Sequence, residues 1–100
     1  MSGRVKIGRF EWDPAKNSSN LTTHGIDFSD AILAFLDPKR IIAVDEAHSD
    51  AEARLFCIGL VGNRIATVRF TYRARMIRII GAGYWRKGKR LYEKENGKIV

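Results

Sequence analysis

A chain of 100 residues is long enough for one hydrophobic core and too short for two, so the sequence predicts a single domain over residues 1–100. A composition that is 45% hydrophobic and 29% charged is typical of a globular protein and excludes disorder along most of the chain. The formal charge of +7 at neutral pH indicates a polyanionic partner.

The cysteine content and the lengths of the apolar segments indicate the cellular compartment of the protein. Cys57 lies in an apolar run and has no second cysteine to pair with, so we expect a small buried side chain in a reducing cytosol. No segment has the apolar length of a signal-peptide core or a membrane span. The sequence therefore predicts a cytoplasmic protein without membrane contact.

The first third of the chain predicts a strand followed by two helices. Residues 5–12 alternate loosely between apolar and polar, which is typical of an edge strand. Asp13 can cap a helix that we place over residues 14–23, and Gly25 is suited to end it in a left-handed conformation. Asp27 can cap a second helix that is expected to run to about residue 36.

The remainder predicts a sheet and a last helix. The apolar period changes at residue 41, before an acidic loop over residues 45–53. Strands are expected in antiparallel succession at residues 54–61, 65–72 and 76–84. The first is apolar on both faces and should be central. A short basic helix follows Tyr84 and frays over residues 95–98. The fold class is α+β, an antiparallel sheet with two N-terminal helices and a C-terminal helix.

Positive charge is concentrated in the C-terminal third. Residues 1–63 hold 7 basic and 9 acidic residues, whereas residues 64–100 hold 11 basic and 2 acidic, a net charge of +9. Ten of these basic residues fall in one structural unit: Arg64, Arg69, Arg73, Arg75, Arg78, Arg86, Lys87, Lys89, Arg90 and Lys94. Such density favours contact with a phosphate backbone over the alternative, a solvated basic surface.

Aromatic residues interleave with these charges: Phe70, Tyr72, Tyr84, Trp85 and Tyr92. Aromatic rings can cover the exposed faces of unstacked bases, so the combination favours single-stranded RNA over duplex DNA. Packing in the core is the better explanation for Phe70. For Tyr84 and Trp85, packing of the last helix explains the pattern as well as base stacking does.

Cleavage of RNA without a metal needs a proton acceptor, a proton donor and cations around the phosphate. The candidates for proton transfer are His24 and His48, with Tyr92, Glu93 or a lysine as others. A structural role is the stronger alternative for each histidine. One cysteine and two widely separated histidines give no zinc spacing, so we expect neither metal nor cofactor.

A series of short motifs, met in order along nearly the whole chain, resembles the BrnT family. These motifs are Phe10-Glu11-Trp12-Asp13-Pro14-Ala15-Lys16, Asn20-Leu21, His24-Gly25, Phe28, Asp37-Pro38, His48-Ser49 with Glu52 and Arg54, Phe70-Thr71 and Arg78-Ile79-Ile80. The resemblance implies a RelE-like fold and the toxin of a type II toxin–antitoxin system. It also implies a metal-independent endoribonuclease that cleaves RNA and arrests translation.

The resemblance also implies partners and site residues. The partner would be a BrnA-like ribbon-helix-helix antitoxin, with operator DNA bound only through that antitoxin. The implied catalytic residues are His24, Arg54, Arg73, Arg78, Tyr92 and Glu93, with the arginines as phosphate clamps. The charge and aromatic pattern of the sequence, and not the resemblance, assigns RNA binding to Arg64, Arg69, Arg75, Tyr84, Trp85, Arg86, Lys87, Lys89 and Arg90.

Two positions depart from the family pattern, and two other functions stay open. Many relatives carry an arginine where this chain has Gly83 and an acidic residue where it has Tyr72, so Arg86 or Lys87 would have to replace that arginine. The alternatives are a non-catalytic module that binds nucleic acid through the same basic surface, and a basic domain that docks an acidic protein.

Overall fold

The computed structural model describes residues 3–48 and 52–97, apart from the His48 side chain. The strands are β1 (Val5–Ile7), β2 (Phe10–Trp12), β3 (Ile41–Val44), β4 (Leu55–Val61), β5 (Arg64–Arg73) and β6 (Met76–Gly83). The α-helices are α1 (Pro14–His24), α2 (Phe28–Ala31) and α3 (Arg86–Asn96), and short 3-10 helices span Ile32–Leu36 and Glu46–His48. None of the helices in the described ranges is long and apolar enough to cross a membrane.

The strands form one sheet in the order β1-β2-β6-β5-β4-β3. All neighbours are antiparallel except β2 and β6, which pair in parallel. The predicted α+β class and mainly antiparallel sheet are therefore confirmed. Two short turns build the meander, and the β5–β6 turn holds Ala74 and Arg75 at φ of +47° and +68°.

The two faces of the sheet are covered differently. The face carrying Cys57, Val68, Phe70 and Ile79, called the inner face, packs against α2 and the 3-10 helix Ile32–Leu36 and holds the larger core. The opposite face, called the outer face, is covered at one end only, where α3 packs over β4 and β5. The outer face is therefore where an open surface of the sheet is available for a site.

Helix α1 follows the sequence prediction closely. It begins at Pro14, and the Asp13 carboxylate accepts from the Ala15 amide at 2.8 Å. It ends where Gly25 adopts a φ of +72°, one residue later than predicted. No residue of α1 is buried, because the helix lies along the edge of β6 and not over the core.

Two predicted elements differ in the structure. Residues 5–12 do not form one strand, because Gly8 at a φ of +58° turns the chain into the β1–β2 hairpin. The second helix starts after Asp27, whose side chain accepts from the Ser29 amide as predicted, but α geometry stops at Ala31. The tighter 3-10 helix then continues to Leu36 and brings its backbone against β4.

The remaining predicted features fall partly outside the described residues. Cys57 is fully buried, as predicted, and burial raises the pKa of its thiol to about 12. Helix α3 stays helical through Asn96, whose side chain donates to the Lys39 carbonyl at 3.0 Å, so fraying does not begin at residue 95. Ser49, the His48 side chain and Lys98 lie outside the described part of the chain.

Candidate nucleic-acid cleft

A small cleft lies on the outer face beside β6, at the end of the sheet that α3 leaves open. Its volume is about 170 Å³. The residues that line it are Arg4, Asp13, Lys16, Glu52, Arg54, Arg73, Arg78, Ile79 and Ile80. Five of these side chains are basic and two are acidic, so the cleft carries net positive charge. Three predicted catalytic residues, Arg54, Arg73 and Arg78, are brought together here.

Arg78 is held in place by a buried carboxylate. The parallel pairing of β2 with β6 places Glu11 directly opposite Arg78, and Glu11 Oε2 accepts from Arg78 Nε at 2.9 Å. Glu11 is only 6% exposed. A buried charge is tolerated when it is paired and hydrogen-bonded, and breaking such a pair is costly. The guanidinium of Arg78 therefore has a fixed position at the wall of the cleft.

Arg73 is held by a more exposed partner. Its Nε and Nη2 donate to the two carboxylate oxygens of Glu52 at 3.1 and 2.7 Å, in the paired geometry that arginine also uses for phosphate. The hydrogen bonds from Arg73 lower the pKa of the Glu52 carboxyl, and Glu52 raises the pKa of Arg73. Both groups are therefore charged at neutral pH.

His24 lies in a shallow groove that adjoins the cleft. The groove is lined by residues of α1 and shares Lys16 and Ile80 with the cleft. The His24 ring is exposed, and it meets the Trp85 indole edge-on with 5.2 Å between centroids. Asn20 fixes this groove to the sheet, since its side-chain amide bonds both the N–H and the carbonyl of Ala82 at 3.1 and 3.0 Å.

The space above Gly83 is occupied by Trp85. A Cβ at position 83 would lie 2.5 Å from the Trp85 ring, so any side chain there would displace the indole. At position 83, where many relatives have an arginine, this chain therefore has room for the Trp85 ring on the sheet. The Trp85 side chain remains 36% exposed. At the other departure, Tyr72 is exposed and packs edge-on to Phe70 on the inner face, away from the cleft.

The structure does not bring Tyr92 and Glu93 into the cleft. Tyr92 is 2% exposed, and its hydroxyl donates to Asp37 Oδ2 at 2.7 Å. Burial and this bond raise the pKa of the Tyr92 hydroxyl to about 12. Glu93 lines a different cavity with Arg64, Tyr84 and Lys89. The contacts of Tyr92 are those of an anchor that ties α3 to the loop before β3.

This anchor gives an expected pH dependence of stability. Burial alone would raise the pKa of Asp37, but bonds from Tyr92 and from the Leu60 and Lys39 amides outweigh it, so the pKa of Asp37 is lowered. A lowered pKa contributes stability at neutral pH that is lost as the pH falls below the ordinary aspartate range. Tyr92→Phe should therefore cost about 1–2 kcal/mol at pH 7, and less in acid, by urea unfolding.

The same variant tests the predicted catalytic role of Tyr92. As an anchor, Tyr92→Phe should keep its cleavage rate wherever the protein remains folded. A large loss of activity with unchanged unfolding midpoints would instead return the Tyr92 hydroxyl to the catalytic machinery.

The residues predicted to bind RNA are distributed over several surfaces. Arg64 lies 3.6 Å above the Tyr84 ring at the far end of the sheet, beside Lys89. Arg69, Trp85 and Lys87 line a cavity between the sheet and α3. The remaining three, Arg75 in the β5–β6 turn and Arg86 and Arg90 on α3, are exposed. The basic residues of the last two strands and the last helix therefore do not converge on one cavity.

Sequence reasoning missed four residues of the cleft and its wall. Glu11, Lys16 and Glu52 belong to the motifs that resemble the family, but no role was assigned to them. Arg4 lies outside every motif. The pairing that places Glu11 beside Arg78 joins residues 67 apart in sequence and cannot be inferred from local patterns. Among the described residues, no three histidine, cysteine or carboxylate side chains are grouped so as to hold a metal ion.

An α+β protein whose sheet carries a concave, guanidinium-rich cleft belongs to the class of small basic proteins suited to polyanions. The family model for the ribonuclease toxin BrnT of type II toxin–antitoxin systems matches residues 12–88. The chain therefore belongs to this family of ribonuclease toxins, as its motifs predicted, and a type II toxin has a cognate antitoxin. The matched span includes Arg54, Arg73 and Arg78 and stops before Tyr92 and Glu93. A search of curated proteins finds no match.

Proposed function

We propose that this protein is a single-domain endoribonuclease that cuts single-stranded RNA without a metal ion and thereby arrests translation in the cytoplasm. The observation that carries the proposal is the convergence of Arg54, Arg73 and Arg78 on one cleft of the outer face. RNA is the polyanion that a ribonuclease toxin acts on, and the cleft offers it a concave, positive surface. We also propose that the strands and helices of this fold are arranged as in RelE-like toxins.

The proposed reaction is an attack of the RNA on itself. The 2′-oxygen of one ribose loses its proton and bonds to the adjacent phosphorus, and the bond from phosphorus to the 5′-oxygen of the next nucleotide breaks. The 5′-oxygen takes up a proton, so the products are a 2′,3′-cyclic phosphate and a 5′-hydroxyl. Negative charge increases on the phosphate oxygens during this step, which fixed guanidinium groups stabilise.

The two arginine pairs suit different tasks. The Arg78–Glu11 pair is largely buried, with 14% and 8% side-chain accessibility, so Arg78 stays in place while RNA binds and leaves. The Arg73–Glu52 pair is exposed, with 47% and 31% side-chain accessibility, and exposed pairs contribute little stability. A phosphate can therefore replace Glu52 on Arg73 at small cost. Glu52, released and ionised, then joins His24 as a candidate acceptor for the 2′-hydroxyl proton.

For the antitoxin, we propose a BrnA-like ribbon-helix-helix protein that covers the cleft and binds operator DNA on behalf of the complex. The net charge of +9 on residues 64–100 supports a partner that presents acidic groups to this surface. Masking of the cleft would stop RNA cleavage, while DNA binding would come from the antitoxin.

Incubation of the purified protein with a single-stranded RNA in excess chelator tests the proposal. We expect cleavage in the chelator, loss of cleavage when the cognate antitoxin is added, and products that end in cyclic phosphate. Intact RNA in the presence of a correctly folded sample would contradict the proposal. Cleavage that requires added Mg²⁺ would contradict the metal-independent mechanism, and undiminished cleavage in the complex would contradict masking.

One observation supports a second function, a module that binds nucleic acid without cutting it. The cations outside the cleft, such as Arg64, Arg86 and Arg90, extend over several surfaces, as in sequence-independent binding to a phosphate backbone. That function requires affinity that falls steeply with salt and no cleavage under any condition.

A further inference from the structure

A second cavity on the outer face lies between β3, β4 and β5 and the helix α3. Its volume is about 350 Å³, and its lining is mostly apolar, with Ala43, Phe56, Ile58, Trp85 and Leu91 among the lining residues. Two cations, Arg69 and Lys87, also line it. This cavity, called the α3 pocket, is larger than the cleft. Its apolar walls and two cations suit a flat apolar group that has a negative charge next to it.

The α3 pocket lies on the same surface as the cleft. Side chains alternate along β5, so Arg69 and Arg73 both lie on the outer face, and Arg69 belongs to the pocket while Arg73 belongs to the cleft. Four residues of strand separate them, roughly 13 Å at about 3.3 Å per residue. Thr71, the outer-face residue between them, pairs with Arg78, and Gly81 beside Arg69 adds no side chain to that face. An extended single strand can therefore reach both sites.

Two buried polar atoms of residues that line the α3 pocket lack a hydrogen-bond partner in the described part of the chain. Within residues 3–48 and 52–97, the buried side-chain atoms without a hydrogen-bond partner are Thr67 Oγ1 and Arg69 Nε, and both residues line the α3 pocket. Arg69 Nε lies 3.3 Å from Asp45 Oδ2, close enough for ionic attraction without hydrogen-bond geometry. Buried polar atoms are nearly always satisfied, so the lining of this pocket keeps hydrogen-bonding capacity that a bound polar group or water can use.

We propose that the α3 pocket binds one unpaired nucleobase of the RNA whose phosphate is cut in the neighbouring cleft. This inference rests on the proposed function and extends it to a substrate with an unstacked base at a fixed position. Phe56 and Trp85 give the pocket aromatic walls against which a base can pack, and the guanidinium of Arg69, which lies over the Phe56 ring at 5.7 Å from its centroid, offers a cation to the adjoining phosphate. The cations distinguish this pocket from one built for an apolar protein side chain.

Binding of a non-cleavable RNA tests the pocket separately from catalysis. The probes are two fluorescent, fully 2′-O-methylated oligonucleotides of the same length, one with bases and one abasic throughout, measured by anisotropy at fixed salt. The wild-type chain should bind the probe with bases about tenfold more tightly, the loss expected for one stacking contact.

Substitutions on β3 provide a matched pair. Ala43→Phe fills the pocket and should abolish the preference for bases, whereas Ile42→Phe, whose side chain lies on the inner face, should retain it. Thermal unfolding establishes that both variants fold. If Ala43→Phe does not fold, Trp85→Ala takes its place and should reduce the preference severalfold by removing one aromatic wall.

The possible failures are distinguishable. Equal affinity of the wild-type chain for both probes, with RNA cleavage intact, would overturn the pocket and leave the ribonuclease proposal standing. The absence of any RNA binding or cleavage would overturn the proposed function itself. If Ala43→Phe keeps the base preference and instead fails to bind the antitoxin, the pocket is a protein-binding site and the proposal is wrong.

Discussion

Arg78→Ala is expected to slow RNA cleavage by about 10²- to 10³-fold, the usual effect of removing one group that stabilises charge in a transition state. It should also destabilise the fold by about 3 kcal/mol, because Glu11 would be left as a buried carboxylate without its cation. Steady-state cleavage and urea unfolding measure the two losses. The structure thus adds a stability cost that the position of Arg78 in the sequence does not reveal.

A double variant separates the two effects. Glu11→Gln combined with Arg78→Gln replaces the ion pair by two neutral amides that can bond each other, so most of the lost stability should return. Cleavage should stay as slow as in Arg78→Ala, because no cation faces the phosphate. Recovery of activity together with stability would show that Arg78 serves the fold alone.

Gly59→Ala is expected to produce the largest loss of stability without touching the cleft. A Cβ on Gly59 would lie 2.4 Å from the Ala34 carbonyl oxygen, so the 3-10 helix Ile32–Leu36 would have to move away from β4. Forced overpacking of this kind costs about 1–3 kcal/mol, and the clash is with rigid backbone, so the upper end applies. Thermal unfolding should show a midpoint lowered by on the order of 10–20 °C.

Gly81→Ala is the matched control for this clash. The nearest atom to its Cβ would be Asn20 Oδ1 at 3.8 Å, an ordinary contact, so the unfolding midpoint should change by a few degrees at most. Equal midpoints for Gly59→Ala and Gly81→Ala would mean that the 3-10 helix does not approach β4 as closely as described.

Local signals made much of the fold predictable from sequence. The cap at Asp13 and the stop at Gly25 define α1 within one residue, because both act on the backbone groups next to them. The apolar runs and the turn signals between them likewise predicted β4, β5 and β6 to within one residue at each end. The β1–β2 hairpin was missed because a single glycine, Gly8, turns the chain inside a stretch that alternates like one strand.

The candidate site was harder to predict, because its geometry depends on distant parts of the chain. Arg54, Arg73 and Arg78 were identified by family resemblance, and the fold places them together through the β5–β6 pairing and the segment before β4. Tyr92 has the chemistry of a proton donor, but whether its hydroxyl faces solvent or Asp37 is decided by the packing of α3. Net charge indicated a polyanion and could not show which cations share a cavity.

Side-chain NMR of the arginines tests most directly whether the cleft holds the RNA backbone. With the chain labelled at the arginine Nε positions, a 2′-O-methylated single strand is titrated in, and the Arg54, Arg73 and Arg78 signals are compared with those of Arg86 and Arg90 on α3. The cleft signals should shift first and saturate together, with the Arg73 signal moving most as phosphate replaces Glu52. Saturable shifts confined to Arg86 and Arg90, with the three cleft arginines unmoved, would contradict the assignment of this cleft as the ribonuclease site.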